Sequence, residues 1–165
     1  IGKKVLIMIS FLSILFSSFT TTEKDWDKII RSSQKTFNIS DPNFNELRGQ
    51  IENHKYFTIS SKSTQIGYLV IAQANSKHQK FDFYILFSNN ATILEVRVLT
   101  YRENYGFEIC AKRWLSQFKS IKTDNQFEYN SKIDGVSGAT ISVNSIKHEI
   151  FVITNKLKNK IKKLL

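Results

Sequence analysis

The chain has 165 residues, 41% of them hydrophobic, with one cysteine and a formal net charge of +10. A single cysteine excludes an internal disulfide and leaves a cysteine metal cluster without enough ligands. The charge is uneven: residues 1–22 carry +2, residues 143–165 carry +5, and the body between them holds only +3, which argues against a nucleic-acid groove.

Lys3 and Lys4 precede an uncharged run from Val5 to Thr22. A basic flank, a short apolar core and small residues near Ser18 and Thr20 read as a secretory signal peptide over residues 1–22. The apolar core falls short of the roughly 20 residues of a membrane span, so an uncleaved membrane anchor is the second reading. Lysines on the inner side send residues 23–165 out of the cytoplasm under either reading. The expected location is periplasmic, or anchored on the outer side of the inner membrane. The remainder is long enough for one domain with its own core.

Glu23 to about Ser33 reads as a short helix with Trp26, Ile29 and Ile30 on one side. Asn38, Asp41, Pro42 and Asn43 mark a loop, and Phe44 to Ile51 is expected to form another short helix. From Tyr56 the period changes. Tyr56–Ile59, Gly67–Gln73, Lys80–Ser88 and Thr92–Thr100 are rich in β-branched and aromatic residues and read as strands. Asn89-Asn90 joins the last two as a hairpin turn, since Asn tolerates positive φ. Glu95 and Arg97 alternate with Leu94, Val96 and Val98, which predicts a sheet with one wet face. Strands in succession with short links imply an antiparallel sheet, hence an α+β fold with flanking helices.

Glu108 to Lys119 reads as a helix. Cys110 within it reads as a small buried hydrophobe rather than a reactive thiol, and Trp114 as core. His54, His78 and His148 have no metal-ligand spacing and are expected at the surface. The last helix is expected from about Ser142 to Leu164. Ile146, Ile150, Ile153, Leu157, Ile161 and Leu164 form its apolar face, and lysines fill the rest. Core packing is the plainest role for that face. A membrane-surface helix or a dock for an acidic redox partner are the functional alternatives.

Between these helices runs Asp134-Gly135-Val136-Ser137-Gly138-Ala139-Thr140-Ile141-Ser142. Gly135 and Gly138 are expected to permit tight backbone geometry that a Cβ would obstruct. Small side chains at Ser137 and Ala139 leave amide N–H groups open to an anion, and Ser142 is a good N-cap residue. Thr140 would then lie at the mouth of a helix, whose free N–H donors and partial positive charge suit a phosphate. The run is neither a P-loop nor a dinucleotide fingerprint. From the residues alone, a phosphate site and a plain loop with Thr140 as a capping hydroxyl both stand.

Asp134-x-x-Ser137-Gly138-Ala139-Thr140 resembles the Asp-x-x-Ser/Thr-Gly-Ala-Thr motif of FMN-binding domains, found in the FMN-carrying subunits of sodium-pumping NADH:quinone oxidoreductases and Rnf-type complexes. Tyr101-Arg102-Glu103-Asn104-Tyr105-Gly106-Phe107 is similar to the loop at the flavin edge, where the family has Glu-Thr-Pro-Gly. This chain keeps Glu103 and Gly106 and departs at Asn104 and Tyr105. With Lys112-Arg113-Trp114-Leu115, Ser76-Lys77 and the Gly67-Tyr68 strand start, it looks like the variant in exported Bacteroidetes-type flavoproteins, over roughly residues 66–150. The resemblance implies FMN as cofactor, joined through its phosphate to the Thr140 hydroxyl by a flavin transferase that takes FMN from FAD. It implies contacts from Asp134, Ser137, Gly138, Ala139, Ile141, Glu103, Tyr105 and Gly106. The implied role is an electron carrier between redox donor and acceptor proteins rather than a stand-alone enzyme. An FMN-dependent reductase and a cofactor-free basic membrane-binding module are the alternatives.

Overall fold

The structure is a computed structural model and describes residues 21–47, 54–121 and 125–163. The expected export segment lies outside these apart from its last two residues.

Helix α1 spans Glu23–Phe37. Thr22 caps it: its Oγ1 accepts from the Asp25 N–H at 3.2 Å and donates to Asp25 Oδ2 at 2.7 Å. Asn38 ends it in the left-handed conformation. The helix runs past the expected Ser33 because the inward face Ile29, Ser33 continues to Phe37, which packs on the same cluster. Ser has no hydrophobic signal, so the pattern breaks off early in the sequence.

Five strands follow, β1 (Asn43–Glu46), β2 (His54–Ser61), β3 (Thr64–Asn75), β4 (Lys80–Ser88) and β5 (Ile93–Thr100). They form one antiparallel sheet in chain order. The four expected strands and the α+β class are all present. Phe44 to Ile51 is a correction: Asn43–Glu46 is an edge strand paired with Glu46 against Phe57, and residues 48–51 lie outside the described part. Phe44 packs against Trp26 with the rings tilted by 58° and their centroids 5.5 Å apart. That aromatic contact fixes an extended segment in a stretch whose local polarity leaves the period ambiguous.

The β4–β5 turn sits where Asn89-Asn90 predicts it, but the positive φ of 57° falls on Ala91. The Ser88 hydroxyl bonds Asn90 and the Thr92 N–H, closing the turn over that residue.

The one-wet-face expectation is also corrected. Helix α4 (Thr140–Lys162) covers one face, where Ile146, Ile150, Ile153 and Leu157 meet Phe81, Phe83, Ile85 and Phe87 of β4. Helix α1 covers the other, where Ile29 meets Leu69, Ile71, Tyr84 and Leu86. Strands β3 and β4 are therefore buried on both faces and read as nearly unbroken apolar runs. Glu95 is buried, accepting from Thr36 at 2.9 Å and from Ser32, and paired with Arg97. Its charge is held beneath a helix that supplies hydroxyl donors.

The expected helix over Glu108–Lys119 is a broken series: a 3-10 turn Phe107–Cys110, helix α2 (Lys112–Leu115) and a second 3-10 turn Ser116–Ser120. Ala111 breaks it with an extended conformation, ψ 132°. Its apolar residues Ile109, Trp114, Leu115 and Phe118 still join the core under α4. Cys110 is half-buried, and burial pushes its thiol pKa up, which fits an inert thiol. Helix α3 (Gln126–Ser131) completes the fold.

His54 is not a surface residue. It is buried on β2, and its Nε2 lies 2.9 Å from Glu149 Oε2 on α4. Lys147 is likewise buried, donating to the carbonyls of Asn130, in the last turn of α3, at 3.0 Å and of Ile133, just past its end, at 2.6 Å. Among the described residues no helix is long and apolar enough to cross a membrane.

Candidate functional site

The loop Asp134–Ala139 enters α4 two residues earlier than the sequence suggests. Thr140 is the first helical residue, Ala139 occupies the cap position, and no side chain caps the helix. The first helical bond runs from Val143 N–H to Ala139 O at 2.9 Å. The N–H groups of Thr140, Ile141 and Ser142 are thus left for another acceptor. Ser142 is not the cap. It is 2% exposed, and its Oγ lies 2.5 Å from Ser76 Oγ and 3.1 Å from the Tyr101 hydroxyl. This one hydroxyl ties α4 to the β3–β4 turn and to the loop after β5.

Gly138 has φ +74° and Gly106 φ +73°, the left-handed region that a side chain strains to adopt. A Cβ on Gly106 would stand 2.4 Å from the Ala139 Cβ, so the 101–106 loop touches the motif loop only because that position lacks a side chain. Gly135 is a correction: nothing lies within 4 Å of an added Cβ, and its φ is not positive.

Glu103 braces the same junction. Its Oε1 accepts from His78 N–H at 2.7 Å and Gln79 N–H at 3.2 Å. The His78 amide, foremost, holds its carboxyl below the usual carboxylate range. Arg102 reaches back to Asp82 Oδ2 at 2.5 Å and Lys80 O at 2.8 Å, pinning the loop to β4. Tyr101 meets Phe81 and Phe107 edge-on at 5.4 and 5.7 Å.

These contacts enclose a cleft of about 290 Å³. Gly138, Ala139, Thr140 and Ile141 form one wall, and Glu103 and Tyr105 the other. Gly106 stands behind, against Ala139. Asp134 and Ser137 do not line the cleft; both are exposed. Asp134 is fixed through its backbone, its N–H donating to Gln117 Oε1 and its carbonyl accepting from Trp114 Nε1, each at 3.0 Å. Trp114 is core, as expected, and also holds the motif loop.

The sequence gives His78 no role at the cleft, marks Tyr101 and Ser76-Lys77 only by likeness, and assigns Ser142 to the helix cap. Polar residues in a strand connection were the available signal. Lys77 places a cation at the cleft opposite the helix N-terminus.

Tyr105 at 77%, Phe107 at 56% and Ile141 at 52% are the exposed large hydrophobic residues among those described, and all three stand at or beside this cleft. Apolar side chains gathered at one exposed place mark a binding surface. The volume is at the small end for a ligand pocket, enough to grip one end of a planar cofactor and leave the rest accessible. Uncapped N–H donors, Lys77 and a side-chain-free turn suit a phosphate; Tyr105 and Ile141 suit a flat apolar ring. The residues present fit FMN.

An α+β domain with an uncapped helix start beside an exposed aromatic rim is the class defined here. Residues 77–150 match the model of the FMN-binding domain family, and the chain carries a domain of that family. The match supports a flavin-binding domain over those residues. The match takes in the β3–β4 turn, β4, β5, the Glu103 loop, the motif and the first half of α4. No curated protein matches the chain.

Proposed function

We propose that this is an exported electron-transfer flavoprotein whose FMN is ester-linked through its phosphate to Thr140. The observation that carries the reading is the state of Thr140. It is exposed at the first position of an uncapped 23-residue helix, and no hydrogen bond engages its hydroxyl among the described residues. A hydroxyl meant as a cap would bond the helix; this one is left for chemistry.

In the attachment step the phosphoanhydride bond of FAD breaks, the Thr140 Oγ1–phosphorus bond forms, AMP leaves, and the hydroxyl proton passes to solvent. A separate flavin transferase carries this out. The exposed Asp134 carboxylate repels a phosphate by its charge and suits recognition by that enzyme. The product phosphodiester keeps one negative charge, which the N–H groups of Thr140–Ser142 and the Lys77 ammonium can hold. Tyr105 and Ile141 offer the apolar contacts for the ring, and flavin supplies one- or two-electron redox chemistry when bound. A tether keeps the cofactor on a protein outside the cell, where free FMN would diffuse away. The basic flank and apolar run at residues 3–22 support that location.

The test is the intact mass of the exported form, co-expressed with a flavin transferase, beside Thr140→Val. A gain of one FMN less one water, absent from the variant, is expected. No gain, with the transferase active on another target, overturns the ester.

A further inference from the structure

A second, larger cavity of about 790 Å³ lies on the α1 side of the sheet, between α1, β5 and the 112–120 segment. Lys28, Arg31, Lys35, Arg97, Lys112 and Lys119 line it, and Glu95 is its one acidic residue. Glu95 is already taken by Arg97, Ser32 and Thr36. Lys28 bonds Asp25 at 3.3 Å and the Leu99 carbonyl at 3.2 Å. Arg31, Lys35, Lys112 and Lys119 have no acidic partner among the described residues. The groove therefore holds a formal +5, whereas residues 23–142 as a whole carry +3, leaving −2 for the rest of the body. The basic charge of the body is concentrated in this one concavity, which focuses its field.

We propose that this groove docks an acidic segment of a protein partner and seats that partner against the flavin cleft. Leu94, Val98 and Leu99 supply apolar floor between the basic walls, so the shape asks for carboxylates flanking a few apolar side chains. Leu99 lines the groove and Tyr101 lines the flavin cleft. Two residues of extended chain reach at most about 7 Å, so the Leu99 end of the groove adjoins the loop that carries the cleft residue Tyr101. A concave site does not seat on a flat bilayer. Nor does it offer stacking surfaces to nucleic acid, because its one aromatic residue, Tyr84, is 2% exposed. The role of the partner as redox donor or acceptor rests on the proposed function; the docking itself does not.

The probe is a fluorescent Glu-rich peptide with leucines at helical spacing, titrated at low ionic strength into the whole protein. Arg31→Glu/Lys35→Glu/Lys112→Glu/Lys119→Glu should weaken binding by roughly ten- to a hundredfold. A control charge reversal on α4, Lys156→Glu/Lys160→Glu/Lys162→Glu, should change it far less. Thr140→Val should leave it unchanged, which separates this proposal from the flavin tether. Equal loss in both charge-reversal sets overturns the groove, and so does groove-dependent binding of phosphatidylglycerol vesicles or oligo-dT in preference to the peptide. With flavinylated protein, reduction by a reduced acidic ferredoxin should slow in the groove variant, each electron delivered leaving one ferredoxin oxidised. Peptide binding with no such slowing would keep the dock and remove its part in flavin reduction, overturning the seating against the cleft.

Discussion

Three glycines that look alike in the sequence have different tasks. Gly106 combines φ +73° with an approach of 2.4 Å between an added Cβ and that of Ala139; Gly138 has φ +74° but 3.8 Å of room; Gly135 has neither constraint. Gly106→Ala should therefore cost about 2–4 kcal/mol and Gly138→Ala about 1–2 kcal/mol. Gly135→Ala should be neutral or stabilising by about 0.5 kcal/mol, since it restricts the unfolded chain at an unstrained position. Urea midpoints would rank the three, and an equal loss at Gly135 and Gly106 would contradict the geometry. The motif spacing made Thr140 and its neighbours legible. It could not say which glycine the fold requires, because that depends on Ala139 meeting a loop some 30 residues earlier in the chain. His54 was misread for the same reason: its partner Glu149 is distant in sequence.

Elements were legible where the period was strong and blurred where tertiary contacts decide. The strands from Gly67 to Thr100 announce themselves. Asn43–Glu46 becomes a strand because β2 offers it a free edge, and the 107–120 segment breaks at Ala111 while keeping its apolar residues in the core. Helix α4 packs on the core as its apolar face predicts, but Lys147, one of the lysines outside that face, is buried. Its ammonium instead serves two carbonyls near the end of α3, one turn of chain before the motif. Burial lowers its pKa, against the nearby Asp134 charge, which raises it. Lys147→Met keeps the stem and removes the ammonium donors from both carbonyls. The expected loss is about 1–3 kcal/mol. Faster amide exchange should then appear in residues 126–134 in hydrogen-exchange measurements, with β3 and β4 protected as before. Uniform acceleration through the sheet would show that Lys147 supports the whole core rather than this junction.

At the scale of the molecule, each face of the sheet is clasped to its helix by a carboxylate. On the α1 face, burial alone would raise the Glu95 carboxyl, but bonds from Ser32 and Thr36 and the Arg97 charge outweigh it, and its pKa falls below the ordinary value. On the α4 face, the His54 hydrogen bond lowers Glu149 against the opposing effect of burial. Asp25, which caps α1 with Thr22, is also lowered: its hydrogen bonds and Lys28 overcome desolvation. A carboxylate whose folded pKa is depressed binds fewer protons than it does in the unfolded chain. Its contribution is therefore complete above the unfolded value, about 4 for these groups, and is lost as pH falls through the folded value. The protein should hold its stability down to about pH 5 and lose it steeply below about pH 4. Glu95→Gln/Glu149→Gln should lower the urea midpoint at pH 7 and flatten the dependence between those limits, because the amides no longer titrate. Both helices carry walls of the sites described, α4 of the Thr140 cleft and α1 of the basic groove, so loss of the two clasps should loosen both walls together. A double variant whose stability still falls with the original slope on acidification would place the acid sensitivity on other groups.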